Sequence, residues 1–402
     1  MRITLLSHFP GRGGSTILLV QLAEFLRGLN HEIGVVVGDD CADPILREYA
    51  VVPRTPEGGW RRRMAAYVAA IRATRPDIVY SISGKAEFDV FRFLSCPRIR
   101  HVSSLEQHEF TDIPFWIRQV GRFADAFTAN TPDVLERIKS WISGSARNSF
   151  VGWTVPYRLN EAFQRAGAVP AKGGPGNGGV VNVCFIGRLD RFQKRAHWLP
   201  EIVDRCQSFK RNFRWHIYGQ GPLEASIKAS LAQRKLLNNV CFYGWMDAAG
   251  LAARLPLQDV FFLCSRWEGL PIAMAEAMLC GLACVVPADA GGMTYALREG
   301  GGWLYNANSA AACATALVAA TSDLKLLDQR KKEARIIARD LFSGRELDEQ
   351  LHEFAVGLPN LAFNGNRIEV NQAPRMYSVH PMIALKRRLR RIIGIGRADF
   401  CP

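Results

Sequence analysis

The segment from Val260 to Gly292 constrains the fold of this chain more than any other part of the sequence. It begins with a continuous apolar run, residues 260–263, whose length is that of a strand covered on both faces. After a polar break, residues 272–279 are good helix formers, and Gly281 is placed to cap the helix. Residues 283–286 return to an apolar run. Strand, helix and strand in direct succession predict one unit of a parallel α/β sheet.

The same alternation recurs along the rest of the chain. The first predicted strand is followed by a glycine loop and then by apolar residues at helical spacing, and a second helix is predicted over residues 65–73. The remaining apolar runs predict strands at residues 3–6, 33–37, 77–80, 100–104, 183–186, 215–218 and 240–245. A chain of 402 residues corresponds to two or three domains, so we predict doubly wound parallel sheets in more than one domain.

Composition narrows the class of protein. Apolar residues make up 48% and charged residues 22%, as in an ordinary globular protein. No apolar run has the length of a membrane-spanning helix, and the N-terminus does not resemble a signal peptide. The cysteines form no C-x-x-C pair, and those in apparent strands are Cys184, Cys241, Cys264 and Cys284. Buried, reduced thiols in a cytoplasmic protein are therefore expected, without a metal cluster.

Two carboxylates flank the central helix. Glu268 lies in the loop before it, and Glu276 lies within it. Both are expected to face a ligand at the carboxyl end of the preceding strand, where open α/β sheets bind ligands. Together with the N–H groups at the helix start, they suit a ligand that combines a phosphate with vicinal hydroxyls. On these two residues alone, the alternative of a loop charge and a solvated helix residue stays open.

The pair belongs to a longer pattern, which runs Glu268-Gly269-Leu270-Pro271, Glu276-Ala277-Met278, Gly281 and Gly291-Gly292. This pattern resembles the signature of retaining glycosyltransferases of family 4, which have the GT-B fold and two glutamates with seven residues between them. The resemblance extends over most of residues 1–357. It implies that Glu268 contacts the donor sugar and that Glu276 holds the ribose hydroxyls of the nucleotide.

The resemblance assigns further residues to the donor. Arg188 and Lys194 follow a predicted strand and are expected to bind the donor diphosphate. Fixed cations there lower the barrier, because the leaving diphosphate gains negative charge as the glycosidic bond breaks. Arg195 stands where the family has a glycine. The other expected donor contacts, mostly through the main chain, are Gly13, Gly14, Gly219, Trp245, Gly269, Leu270, Gly291, Gly292 and Met293.

The acceptor side of the site is predicted from one histidine. The family carries a histidine just after the strand at residues 100–104, and His108 is the choice here. His101 is the alternative, but it lies inside the predicted strand. A purely structural role for either histidine stays open on the sequence.

The predicted domain organisation follows the resemblance. Residues 1–165 form an N-terminal, acceptor-side Rossmann-like domain, and residues 180–341 form a C-terminal domain that binds the nucleotide-sugar. Between them, the composition of residues 166–179 predicts an unpacked Gly-rich linker. Residues 342–358 are expected to cross back to the first domain, and residues 359–402 form a tail. The two domains are expected to face each other across a cleft, as in GT-B enzymes.

The tail contains an amphipathic segment, Met382 to Ile393, with one apolar stripe and five basic residues. The formal net charge of +14 also calls for an acidic partner such as a nucleic acid, an anionic membrane surface or phosphorylated substrates. We expect the tail to hold the protein on the cytoplasmic face of an anionic membrane. Docking of the stripe on the protein itself or on a partner is the alternative.

The predicted function is transfer of a sugar, with retention, from a nucleotide diphosphate sugar to an acceptor hydroxyl. The acceptor class is a lipid-linked saccharide or a precursor of a cell-surface polysaccharide. The donor is a co-substrate, and no metal and no cofactor are expected. A nucleotide-sugar epimerase or a phosphorylase of the same fold is the alternative enzyme. A basic nucleic-acid-binding protein is a further alternative, although the sequence shows no nucleic-acid motif and no row of stacking aromatic residues.

Overall fold

The computed structural model describes residues 1–7, 14–37, 50–51, 60–83, 90–103, 117, 121–142, 150–168, 179–209, 212–288 and 292–367. The chain divides into two compact units. The first contains Met1–Thr128, Leu135–Trp153 and the residues from Ala355 on, and the second contains Ala129–Val134 and Thr154–Phe354. Each unit is built on its own sheet.

The first sheet has seven strands in the order β3-β2-β1-β4-β5-β6-β7. These strands are β1 Arg2–Ser7, β2 Glu32–Val37, β3 Ala50–Val51, β4 Ile78–Ser83, β5 Arg98–Val102, β6 Ala126–Ala129 and β7 Gly152–Thr154. The helices described in this part of the chain are α1 Gly14–Gly28, α2 Trp60–Ala73 and α3 Pro132–Ile142. The pairs β3-β2, β2-β1, β1-β4 and β4-β5 are parallel. Leu5, Val36 and Val79 are completely buried, which fits strands covered on both faces.

The second sheet has six strands in the order β10-β9-β8-β11-β12-β13, and every neighbouring pair is parallel. These strands are β8 Val181–Ile186, β9 Phe213–Tyr218, β10 Val240–Gly244, β11 Val260–Phe262, β12 Ala283–Pro287 and β13 Gly302–Tyr305. The helices that follow α3 are α4 Glu161–Ala168, α5 Leu199–Gln207, α6 Glu224–Gln233, α7 Ala248–Arg254, α8 Ile272–Leu279, α9 Gly292–Ala296, α10 Ala310–Ala320, α11 Leu324–Ser343 and α12 Arg345–Gly357.

The central segment folds as its sequence predicts. The strand β11 is followed by α8, whose bounds are those predicted, and then by β12. Gly281 ends the helix with a φ of +83°, a conformation in the left-handed region that favours glycine. The parallel register of β11 and β12 confirms the predicted α/β unit.

One prediction about the connecting segment is wrong. The predicted linker begins at residue 166, but α4 continues through Ala168. Gly167 is buried, and a Cβ there would lie only 2.8 Å from the carbonyl oxygen of Leu279. The glycine therefore permits close packing of α4 on α8 and does not end the helix. Residues 169–178 of the predicted linker lie outside the described residues, and residues 154–165, predicted in the first domain, group with the second unit.

Other predictions fall partly outside the described ranges. All eight cysteines within those ranges are free; Cys184, Cys264 and Cys284 are buried as expected, whereas Cys241 is half-buried.

The amphipathic segment of the tail lies outside the described residues. In the described part of the chain, no single helix is long and apolar enough to cross a membrane. One sharply bent pair, α10 with the helical residues 324–360, has the length and composition of a membrane span, and only these two properties support one.

Candidate functional site

The loops that follow β8 and β9 approach each other backbone to backbone. Gly219 has a φ of +136°, and a Cβ at this position would lie 2.0 Å from the carbonyl oxygen of Gly187. The amide of Gly187 donates to the carbonyl of Tyr218 at 2.9 Å, and the amide of Gly219 donates to the carbonyl of Gly244 at 2.7 Å. Only glycine fits at position 219, because any side chain there would push the loop after β9 away from Gly187. This predicted residue therefore permits the close approach to the loop that carries Arg188.

Asp190 organises the loop after β8. Its Oδ1 accepts the backbone amides of Gln193 at 2.8 Å and Lys194 at 3.1 Å. Its Oδ2 accepts the Nε of Arg188 at 3.1 Å, although the Arg188 side chain is 57% exposed. An aspartate that bonds its own loop in this way fixes a turn without regular secondary structure. The loop thus presents both predicted cations from one hydrogen-bonded turn.

The predicted cation Lys194 contacts the predicted carboxylate Glu268 directly. The Nζ of Lys194 lies 2.6 Å from the Oε1 of Glu268, and their side chains are 13% and 6% exposed. The two residues are 74 positions apart and come together because β8 and β11 are neighbours in the sheet. The reading of Glu268 as a solvated loop charge is therefore wrong.

Arg195, at the position where the family signature has a glycine, has a left-handed backbone conformation. Its φ of 49° and ψ of 35° lie in the left-handed region, which costs a residue with a side chain about 1 kcal/mol or more. The guanidinium lies 4.6 Å from the ring centre of Trp198 and donates to the carbonyl of Ala307. Cys264 donates its thiol to the carbonyl of Lys194 at 3.3 Å, which holds the same turn. These contacts hold Arg195 in a conformation that favours glycine.

Glu276 lies at the fifth position of α8 and is half-buried. Among the described residues its carboxyl group has no hydrogen-bonding or ion-pairing partner, and burial raises its pKa from 4.5 to about 7. Burial without a partner disfavours the charged form, because a carboxylate loses its hydration and gains nothing in exchange. The alternative of a freely solvated helix residue does not describe this side chain. A ligand that supplied hydroxyl donors would satisfy it.

The remaining predicted donor residues differ in their surroundings. Gly292 begins α9, and a Cβ there would lie 2.6 Å from the Cβ of Leu270, so the close packing of these two elements requires a glycine. Met293 is completely buried, Gly269 is half-buried, and the side chain of Trp245 is 51% exposed.

Three predicted residues, Gly13, His108 and Gly291, lie outside the described residues. Gly14 is the exposed first residue of α1. The alternative histidine, His101, lies in β5 as predicted and is buried; its Nδ1 lies 3.0 Å from the hydroxyl of Thr128. That position fits a structural residue of the first sheet.

Sequence reasoning missed several neighbours of the Lys194–Glu268 pair. Tyr157 is buried, and its hydroxyl accepts from the amide of Asn130 at 2.8 Å. Burial, opposed by that hydrogen bond and assisted by the charge of Glu268, raises the pKa of Tyr157 to about 12. No local signal in the sequence connects Tyr157 to Glu268. Asp190 and Gln193, by contrast, stand between the two predicted cations, where loop-stabilising side chains could have been sought.

Comparison with known proteins supports a sugar-transferase class for the second unit. Residues 176–336 match the model of the family described as Glycosyl transferases group 1. Among the described residues, no group of three or more His, Cys, Asp or Glu side chains could hold a metal ion.

Curated relatives match only part of the chain. The putative glycosyltransferase EpsF of Bacillus subtilis is 31% identical over 104 residues, which is 25% of this chain and 27% of EpsF. The UDP-Gal:alpha-D-GlcNAc-diphosphoundecaprenol alpha-1,3-galactosyltransferase of Escherichia coli is 32% identical over 120 residues, 30% of each chain. The chain thus spans less than a third of the length of these relatives.

Solved structures match most of the chain. HepE of Anabaena in complex with UDP and glucose has a TM-score of 0.68 at 19% identity and covers 90% of this chain and 100% of that one. Sucrose-phosphate synthase from Thermosynechococcus elongatus has a TM-score of 0.68 at 18% identity, with the same coverage. Likeness at this identity establishes the fold, and the predicted GT-B class, with two parallel-sheet α/β units, is confirmed.

Proposed function

We propose that this protein transfers a sugar from a nucleotide diphosphate sugar to a hydroxyl of a glycan or glycolipid acceptor. The observation that carries the proposal is the joining of Arg188, Lys194 and Glu268 in one bonded set at the carboxyl ends of β8 and β11. In this proposal the two cations bind the departing diphosphate, and the adjacent carboxylate binds the sugar hydroxyls. Relatives and neighbours whose names include UDP, UDP-galactose or an undecaprenol diphosphate acceptor support this class of substrates.

In this proposal each residue has a defined task. Arg188 and Lys194 stabilise the negative charge that develops on the leaving diphosphate, which makes a metal ion unnecessary. Glu268 contacts the donor sugar, and Glu276 accepts hydrogen bonds from the two ribose hydroxyls. His108 contributes to the acceptor side, and the main chain at Gly13, Gly14, Gly291 and Gly292 surrounds the diphosphate. Assignment to family 4 and retention of the anomeric configuration are part of the proposal, because the resemblance of the sequence pattern to that family implies them.

A screen of sugar nucleotides tests the function. Purified protein is heated with UDP-, GDP- and ADP-sugars, and a true donor raises the midpoint of unfolding by mass action. The stabilising donor is then incubated with glycan and lipid-linked acceptors, and the anomeric configuration of the product is read by NMR. The expected product keeps the configuration of the donor. Turnover of the donor without an acceptor would instead favour the epimerase or phosphorylase.

We also propose that the tail holds the enzyme at the cytoplasmic face of an anionic membrane. A helix over Met382 to Ile393 would place an apolar stripe in the membrane interface, with five cations near anionic headgroups at about 1 kcal/mol each. Deletion of residues 381–402 should abolish sedimentation with anionic vesicles and leave transfer to a soluble acceptor nearly unchanged. A truncated protein that sediments like the full chain would exclude the tail as the anchor. Neutral vesicles are the control.

A further inference from the structure

The side chain of Gln193 connects two charged residues of the candidate site, Arg188 and Glu268. Its Oε1 accepts the Nη2 of Arg188 at 3.2 Å, and its Nε2 donates to the Oε2 of Glu268 at 3.3 Å. The same Nε2 lies 3.5 Å from the carbonyl of Trp267. One amide group therefore touches a cation from the loop after β8 and a carboxylate from the loop after β11.

The backbone of Gln193 makes the same connection. Its amide donates to Asp190 at 2.8 Å, and its carbonyl accepts the amide of Arg266 at 2.7 Å. Gln193 is thus bonded to both loops by its main chain and by its side chain. The two loops come from strands that are neighbours in the sheet.

Exposure shows which charged group of the site depends most on this connection. Lys194 and Glu268 are largely buried and hold each other. Arg188 is 57% exposed, and its recorded acceptors are Asp190 and Gln193. A long, exposed arginine side chain samples many rotamers, and holding it in one geometry requires acceptors at fixed positions.

The chemistry of the position requires a side chain that both donates and accepts hydrogen bonds. The group must accept a hydrogen bond from a cation on one side and donate one to a carboxylate on the other. An ionised carboxylate only accepts, and an ammonium group only donates, so neither glutamate nor lysine does both. Glutamine has the required pair of atoms at the required length.

We propose that Gln193, held by Asp190, is a positioning residue that fixes Arg188 relative to the Lys194–Glu268 pair for departure of the diphosphate. The inference rests on the proposed function, and it adds a residue that touches none of the reacting atoms. Misplacement of a catalytic group by about 1 Å can cost about a hundredfold in rate. The effect is therefore expected on kcat more than on the binding of the donor.

The test compares three variants at position 193 in the full chain. Gln193→Ala removes both side-chain bonds. Gln193→Glu keeps the acceptor for Arg188 but places a second carboxylate beside Glu268. Gln193→Lys keeps a donor for Glu268 but places a second cation beside Arg188. We expect all three to lower kcat by about ten- to a hundredfold with little change in donor KM. Gln207→Ala is the matched control, because Gln207 is also half-buried and donates one side-chain bond, to the carbonyl of Phe213 at 3.3 Å.

A double-mutant cycle separates positioning from general support of the fold. If Gln193 acts through Arg188, Gln193→Ala should cost much less in an Arg188→Ala background than in the wild type. Equal losses in both backgrounds would overturn the proposal, and so would normal kcat in Gln193→Ala. Circular dichroism and the midpoint of thermal unfolding check that each variant is folded. If the wild type turns over no sugar nucleotide, the proposed function fails; if it turns over and the position-193 variants match it, only this inference fails.

Discussion

Replacing Glu276 by glutamine tests how the fold prepares a carboxylate for a ligand. Burial raises the pKa of Glu276 from 4.5 to about 7, so the native state favours the protonated form more than the unfolded chain does. The stability contributed by this preference is fully present below about pH 4.5 and is lost as the pH rises through about 7. The difference between these two pKa values corresponds to about 3 kcal/mol of unfolding free energy, at about 1.4 kcal/mol for each pKa unit.

Glutamine at position 276 does not titrate, so the variant should lack this loss. We expect Glu276→Gln and the wild type to have similar unfolding free energies near pH 4.5. At about pH 8 the variant should be more stable by up to about 3 kcal/mol. Urea unfolding across this range measures the difference, with Glu353→Gln, an exposed glutamate of α12, as control. A difference between Glu276→Gln and wild type that does not change with pH would refute the reasoning.

The same carboxylate should couple nucleotide binding to protons. Hydroxyl groups donate to an ionised carboxylate, and hydrogen bonds to a charged partner are worth about 1.5–3 kcal/mol each. Binding of the nucleotide of the donor found in the screen should therefore favour the ionised form and release a proton near neutral pH. Calorimetry in two buffers with different ionisation enthalpies detects that proton. Nucleotide binding with no proton release, or equal affinity in Glu276→Gln, would remove Glu276 from the ribose site.

Two further perturbations address the loops of the site. Lys194→Ala should lower kcat about a hundredfold or more in steady-state kinetics, because it removes the cation proposed to stabilise the leaving group. The control is Lys228→Ala, which breaks a partly exposed ion pair with Glu224 of the same 2.6 Å length. Normal turnover of Lys194→Ala would exclude the residue from the mechanism. Gly219→Ala should lower the thermal midpoint and donor binding, since its Cβ would lie 2.0 Å from a backbone oxygen. The control is Gly28→Ala, whose Cβ would meet nothing within 4 Å. If Gly219→Ala and the wild type had equal midpoints, the loop would relax around the added Cβ and the prediction would be wrong.

Local sequence was a good guide where local chemistry decides the structure. The bounds of α8 follow from helix formers placed between Pro271 and a glycine that ends the helix in the left-handed region. Strands covered on both faces show as continuous apolar runs, so each predicted strand lies within a few residues of an observed one. The observed strands β3, β6, β7 and β13 are not among those predicted from such runs. The composition rule for the linker failed at Gly167 because packing against Leu279 outweighs the low helix propensity of glycine.

The sequence by itself determined the alternation of strands and helices and the positions of the charged residues along the chain, and the GT-B class was implied by its resemblance to a known family. Periodicity and short motifs carry that information, because each depends on residues close together in the chain. Only the tertiary structure decided that Lys194 bonds to Glu268 across 74 positions and that Gln193 joins Arg188 to the same carboxylate. Only burial decided the raised pKa of Glu276. Contacts and desolvation of this kind arise from strand order in a sheet, and no local stretch of sequence encodes them.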